Sequence, residues 1–96
     1  MKLKKKVALV TRSSRSIGKG IAQALAKEGA LVVINYVSNQ NAAEATVKEI
    51  EDAGGQAFAV KGNIGSLQEI EQLFVDMDTQ LQRLRFPVNH SWYIRY

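Results

Sequence analysis

The sequence predicts an α/β fold: a doubly wound parallel sheet with helices on both faces, three layers in all. Three observations predict it. Short apolar runs recur at Lys6–Val10, Leu31–Tyr36 and Gln56–Lys61; the first two are continuous rather than alternating, the pattern of strands buried on both faces. Each run is followed by a stretch with helical periodicity, and the first two of these stretches stop at glycine. The resulting βαβαβα rhythm has short connections, and parallel strands require such crossovers, which are right-handed. A sheet covered on both sides by these helices follows.

The first run contains two β-branched residues, Val7 and Val10. The following helix starts near Ile17. Ile21 and Leu25 lie one turn apart, with Ala22 and Ala26 beside them on a face that can approach a sheet closely. Gly29 is placed to end this helix in a left-handed conformation. After the second run, Ser38 to Asn41 is a polar loop. Asn41 with Glu44 resembles a capping box, which opens a helix to about Ala53 with Ala43, Val47 and Ile50 inward. Gly54-Gly55 ends it. Gly62 to Gly65 is a turn, and Ser66 with Glu69 is a second capping box. Ile70, Leu73, Phe74, Met77 and Leu81 then fall on one helical stripe. Leu84 to Asn89 is a candidate fourth strand, but Pro87 lies within it and removes a ladder donor, so an edge position is implied. His90 to Tyr96 has no defensible periodicity.

Length and composition bound the function. The chain has 96 residues, 46% of them hydrophobic and 23% charged, which fits one globular domain over 1–96 with an atypical tail from 83. Cysteine is absent, which removes disulfide and thiolate chemistry and permits a reducing compartment. The apolar run after Lys2, Lys4, Lys5 and Lys6 is too short for a signal peptide, and no run is long enough to span a membrane. A cytoplasmic location is therefore expected. The net charge of +4 and pI of about 9.6 raise a polyanion as partner. A solvated lysine cluster accounts for the excess more simply, and nucleic acid is disfavoured as a partner.

The stretch Val7 to Gly18 carries the chemistry. It reads as strand, polar turn of small residues and helix start, the layout that aims backbone N–H groups at an anion. Its turn, Thr11-Arg-Ser-Ser-Arg-Ser-Ile-Gly18, resembles the T-G-x-x-x-G-I-G corner of the short-chain dehydrogenase/reductase family, most nearly its β-ketoacyl-carrier-protein reductase-like members. Threonine, isoleucine and the last glycine match, while Arg12 and Ser16 replace the first two glycines. Val32 to Tyr36 resembles the end of that family's second strand. Ala45 to Ile50 with Gly54 to Val60 resembles its third βα unit. Asn63-Ile64 stands where the family usually has Asp-Val, and Asn89 retains the first asparagine of Asn-Asn-Ala-Gly.

The resemblance implies a Rossmann-like sheet of strand order 3-2-1-4, here truncated, and a dinucleotide as ligand. The cofactor-binding positions it implies are Thr11, Arg12, Ser14, Arg15, Ser16, Ile17 and Gly18 in the corner. Asn35, Tyr36 and Ser38 follow at the second strand, Asn63 and Ile64 at the third, and Asn89 in the tail. Asn63 would meet the adenine amino group through its amide oxygen. Glycines at such a corner make the turn, admit the pyrophosphate and allow helix–strand packing; Gly18 keeps the last role. Arg12 and Ser16 are expected to weaken binding. An NAD-preferring sheet carries an acid after its second strand, whereas Asn35 to Ser38 has none and Arg15 adds a cation. NADP(H) is therefore expected over NAD(H).

The family's hydride transfer between nicotinamide and a carbonyl or alcohol uses a serine and a Tyr-x-x-x-Lys motif, and neither can be assigned here. Tyr93 is followed by Ile94, Arg95 and Tyr96. Tyr93, Tyr96 and the single histidine, His90, read as packing or surface residues. The expected function is the NADP(H)-binding N-terminal part of such a reductase, inactive alone. The alternative is a non-enzymatic nucleotide-binding or interaction module, and self-association through an exposed sheet edge is expected.

Overall fold

The computed structural model describes residues 3–11, 16–86 and 93–95. Among these the chain forms β1 (Val7–Val10), α1 (Ser16–Lys27), β2 (Leu31–Tyr36), α2 (Gln40–Asp52), β3 (Gln56–Lys61), α3 (Leu67–Arg83) and β4 (Tyr93–Arg95). The strands form one parallel sheet in the order β3-β2-β1-β4. Val7 pairs with Leu31 on one side and Tyr93 on the other, and Leu31 pairs with Gln56.

Alternation along the strands divides the core in two. Ala8, Val10, Val32 and Ile34 pack with Ala22 of α1 and with Ala43, Val47 and Ile50 of α2. Val7, Leu9, Leu31 and Val33 pack with Leu73, Met77 and Leu81 of α3. The sheet is thus the middle of three layers. The continuous apolarity of β1 and β2 has its cause here, since successive side chains enter opposite cores.

Each helix ends in the same way. After α1, the N–H of Gly29 donates to Ala26 O and that of Ala30 to Leu25 O, with Gly29 at φ 97°. After α2, Gly54 at φ 91° and Gly55 repeat these bonds to Glu51 and Ile50. This is the paired-bond stop in which a left-handed residue turns the chain out of the helix. After α3 the same pair runs from Arg85 to Gln82 O and from Phe86 to Leu81 O. Arg85 holds the left-handed position at φ 54°.

That third stop corrects the expectation of a strand within Leu84–Asn89. Leu84 to Phe86 is the cap of α3, and Phe86 packs against the α3-side core. Residues 87–92, with Pro87 and Asn89, lie outside the described residues. The strand beside β1 forms later, at Tyr93–Arg95, where no periodicity is legible.

Two further expectations are corrected. The N-cap of α2 is Asn39, whose Oδ1 accepts from Ala42 N–H at 3.1 Å; Asn41 lies inside the helix. Phe74 is 39% exposed rather than in the α3 seam, because Leu73, Met77 and Leu81 already fill the inward face. Ser66 does cap α3, its Oγ accepting from Glu69 N–H at 3.4 Å.

Candidate functional site

In an open parallel sheet, ligands bind outside the carboxyl ends of the strands, where the connections diverge. Here α1 and α2 lie on one face and α3 on the other. The divergence therefore falls between β1 and β4. Thr11 is half-buried directly after β1. Helix α1 begins at Ser16, and its first turn carries no acid, so the positive end of its dipole is not offset there. Ser16, Ile17 and Gly18 occupy that first turn. Arg12, Ser14 and Arg15 lie outside the described residues, as does Asn89.

The end of β2 is the next station along this edge. Tyr36 is half-buried against the core below α1 and α2, while Val37 and Ser38 are exposed. Asn39 is committed to its cap. No carboxylate occurs from Asn35 to Asn39. Asn35 itself is 2% exposed. Its Nδ2 donates to Val60 O at 3.3 Å and to Gly62 O at 3.0 Å, so the side chain turns into the protein and ties β2 to the end of β3.

Gly62 to Gly65 forms a closely bonded turn at the end of β3. Gly62 N–H donates to Tyr36 O at 2.9 Å. Asn63 N–H donates to Glu69 Oε1 at 3.1 Å, and Asn63 O accepts from Ser66 N–H at 3.0 Å. Asn63 Oδ1 accepts from Gly65 N–H at 2.9 Å. The amide oxygen, the group expected to meet an adenine amino group, thus already holds the turn. Among the described residues nothing accepts from Asn63 Nδ2 or from the Ile64 N–H. Ile64 rests its side chain against the α3-side core.

A groove also lies away from this edge. About 500 Å³ opens between α1 and α2 toward the amino ends of the strands, lined by Gly20, Gln23, Ala24, Lys27, Ala53 and Gly54 among others. Lys19 Nζ and Glu49 Oε2 are 2.8 Å apart nearby, and Gln23 also donates to Glu49. Exposed as it is, the ion pair contributes about 0–1 kcal/mol. No group of three metal-ligating side chains occurs among the described residues. No helix among them is long and apolar enough to cross a membrane.

Comparison with known proteins settles the family. The profile of short chain dehydrogenase matches residues 6–90. The chain belongs to the short-chain dehydrogenase family. It is 44% identical over 85 residues to a 3-oxoacyl-[acyl-carrier-protein] reductase of Synechocystis, covering 88% of this chain and 34% of that protein. It is 40% identical over 88 residues to 1-cyclohexenylcarbonyl-CoA reductase of Streptomyces collinus, covering 92% and 31%. The landomycin C-6 ketoreductase LanV, solved with bound NADP and rabelomycin, superposes with a TM-score of 0.80 at 39% identity over 85% of this chain and 34% of that one. The reductase LugOII superposes at 0.81 with 44% identity, over 86% and 33%. This short-chain dehydrogenase chain spans about a third of the length of the curated relatives it matches.

The site positions missed by sequence reasoning are the supporting ones. Glu69 reads as half of a capping box, but its carboxylate reaches Asn63 instead of returning to Ser66. Asn35 reads as a ligand contact, but its amide is interior. The signal for Asn35 is its place in an otherwise apolar run, where an amide needs internal partners.

Proposed function

We propose that this chain binds NADP(H) along the carboxyl edge of its sheet, as the nucleotide-binding part of a carbonyl or alcohol oxidoreductase. The phosphates lie at the start of α1, the ribose beside the end of β2, and the base over the Asn63–Ile64 turn. That sequence of stations follows the strand order outward from β1 to β3. The observation that carries the reading is the end of β2: no acid stands from Asn35 to Asn39. A ribose bearing a 2′-phosphate meets no carboxylate there. At the end of β3, Asn63 Nδ2 and the Ile64 N–H are donors suited to purine ring nitrogens. Structural relatives with bound NADP support a dinucleotide as the ligand.

Binding is weak in this proposal, because Arg12 and Ser16 stand where the family's corner has glycine. A side chain at either place crowds the approach of the pyrophosphate to the backbone. When bound, NADPH would supply hydride. These 96 residues contribute binding without turnover, since none belongs to a Tyr-x-x-x-Lys set. A cytoplasmic location is part of the same proposal. So is self-association, which Leu67 and Val75, 73% and 57% exposed on α3, support.

Isothermal titration of the chain with NADP+ and NAD+ tests this reading. Detectable binding with NADP+ the tighter ligand is expected, and a tighter NAD+ complex overturns it. In parallel, NADPH oxidation in the presence of a β-ketoester should not exceed a protein-free blank. Turnover above that blank overturns the inactivity.

A further inference from the structure

We infer that Asn35 is a positioning residue for the nucleotide base: it acts from inside the protein, by holding the Asn63–Ile64 turn where a base can meet it. The inference rests on the reading that a dinucleotide lies along the carboxyl edge with its base over the end of β3.

Position 35 follows Leu31 and Val33 on the side of β2 that faces α3, where those two residues enter the core. An aliphatic side chain would continue the pattern. An amide stands there instead, 2% exposed, and a buried amide is costly unless its donors are met. Both N–H bonds are met by backbone of β3 and its turn, at Val60 O and Gly62 O. The side chain is thus tied to one strand end and nothing on the ligand side.

That strand end has reason to need it. Among the described residues β3 is an outer strand, with β2 as its one neighbour. Its backbone ladder with β2 pairs Tyr36 with Lys61 and closes with Gly62 N–H on Tyr36 O. Beyond this point the main chain of β2 supplies no further tie. Asn35 adds one, to the carbonyl of the same residue, so Gly62 is gripped through both its N–H and its C=O. Gly62 also packs beside α3 and the Asn35 amide: a Cβ built on it would meet Leu73 Cβ at 3.4 Å and Asn35 Nδ2 at 3.8 Å, ordinary van der Waals contact.

The grip passes directly into the turn. Asn63 uses its N–H, its C=O and its Oδ1 on Glu69, Ser66 and Gly65. The groups left to face outward, Asn63 Nδ2 and the Ile64 N–H, are thereby fixed relative to β2, over whose end the ribose lies. A base is joined to its ribose by one glycosidic bond, which fixes how far apart the two can sit, so an error in the spacing of their stations is felt in affinity. Releasing Gly62 O would let the turn move away from β2 while the rest of the sheet stays paired.

A double-mutant cycle tests this, with Asn35→Leu as the nearest apolar isostere, Asn63→Ala, and the double variant, each of the 96-residue chain. NADP+ binding is read by titration calorimetry below the melting transition of every variant. We expect Asn35→Leu to weaken NADP+ binding about tenfold and Asn63→Ala about fivefold, the size of one or two lost hydrogen bonds. The double variant should be no weaker than Asn35→Leu alone, because Asn63 is already displaced. Losses that multiply, to about fiftyfold, would show that Asn35 does not act through Asn63 and overturn the inference. Unchanged affinity in Asn35→Leu overturns it equally. If Asn35→Leu does not fold, Asn35→Ser, which keeps one donor and adds space rather than bulk, takes its place in the same cycle. Wild-type chain that binds no NADP+ at millimolar concentration overturns the underlying reading of the edge, and this inference with it. Wild-type binding with multiplicative losses overturns the role of Asn35 alone.

Discussion

The backbone N–H of Asn63 donates to the carboxylate of Glu69, 3.1 Å away across six residues. This bond ties the first turn of α3 to the turn that ends β3. An ordinary capping box returns the N3 carboxylate to the N-cap residue. Here Ser66 N–H donates to Asn63 O instead, and the carboxylate reaches one step further back. The helix start and the candidate base site are therefore one hydrogen-bonded unit.

Glu69→Ala should cost about 1 kcal/mol of unfolding free energy, since it removes the acceptor and a negative charge from the helix start. Glu69→Gln keeps an acceptor oxygen and should lose no more than about 0.5 kcal/mol. Urea unfolding of both variants checks this. Equal losses would show that the bond to Asn63 is not what Glu69 contributes.

The stop after α3 leads to a gain. Arg85 stands in the left-handed position at φ 54°, where α1 and α2 use glycine. A non-glycine residue there costs about 1 kcal/mol or more. Arg85→Gly should raise stability by about 1 kcal/mol, or about 4–8 °C in Tm for a domain of this size. Arg85→Ala retains the Cβ and should bring no such gain. A thermal melt in which alanine stabilises as much as glycine would refute the backbone explanation.

These particulars show what the sequence could and could not carry. Gly29 and Gly54 announce their helix ends because glycine is the residue that accepts the left-handed angle cheaply. Arg85 gives no such signal, so the apolar letters around it, Leu84, Phe86 and Val88, read as a strand. The identical hydrogen bonds of the three stops are visible only in the folded chain. Asn39 and Asn41 are equally good cap letters, and which one caps is decided by where β2 releases the chain. Strand order and the family resemblance point to the stations proposed for the ligand, and the hydrogen bonds at those stations show only in the folded chain. The inward turn of Asn35 was not legible, because period-2 alternation assigns a residue to a face without saying whether a polar tip finds a partner there.

Restoring glycine to the corner tests where the dinucleotide sits. Arg12→Gly and Ser16→Gly together should tighten NADP+ binding at least fivefold, by restoring glycine at the two positions where the family's corner has it, an effect on the order of 1 kcal/mol. The NADP+ over NAD+ preference should survive, since it rests on the acid-free end of β2 and on Arg15. Placing a carboxylate there with Tyr36→Asp should shift the preference toward NAD+. Calorimetry with both cofactors decides; corner variants that bind as the wild type does would place the ligand away from α1.

The last prediction is that the chain self-associates, and the sheet and α3 motivate it. β3 and β4 are the outer strands, and the outer side of such a strand presents N–H and C=O groups that another chain can pair with. Among the described residues β4 pairs with β1 from Tyr93 to Arg95. On α3, Leu67 and Val75 are exposed apolar side chains, and apolar surface of this kind favours contact between copies. We expect the chain to sediment as dimers or larger species at micromolar concentration. Leu67→Lys with Val75→Lys should shift the distribution toward monomer, because each added charge would have to be buried in the contact. Removal of residues 84–96 should act in the opposite direction. It takes β4 from β1, whose residues Val7 to Val10 are at most 3% exposed, and so uncovers the backbone of the most deeply buried strand. A wild-type chain that sediments as a monomer and melts cooperatively would refute the association, and a truncated chain no more associated than the intact one would show that β4 does not shield the edge.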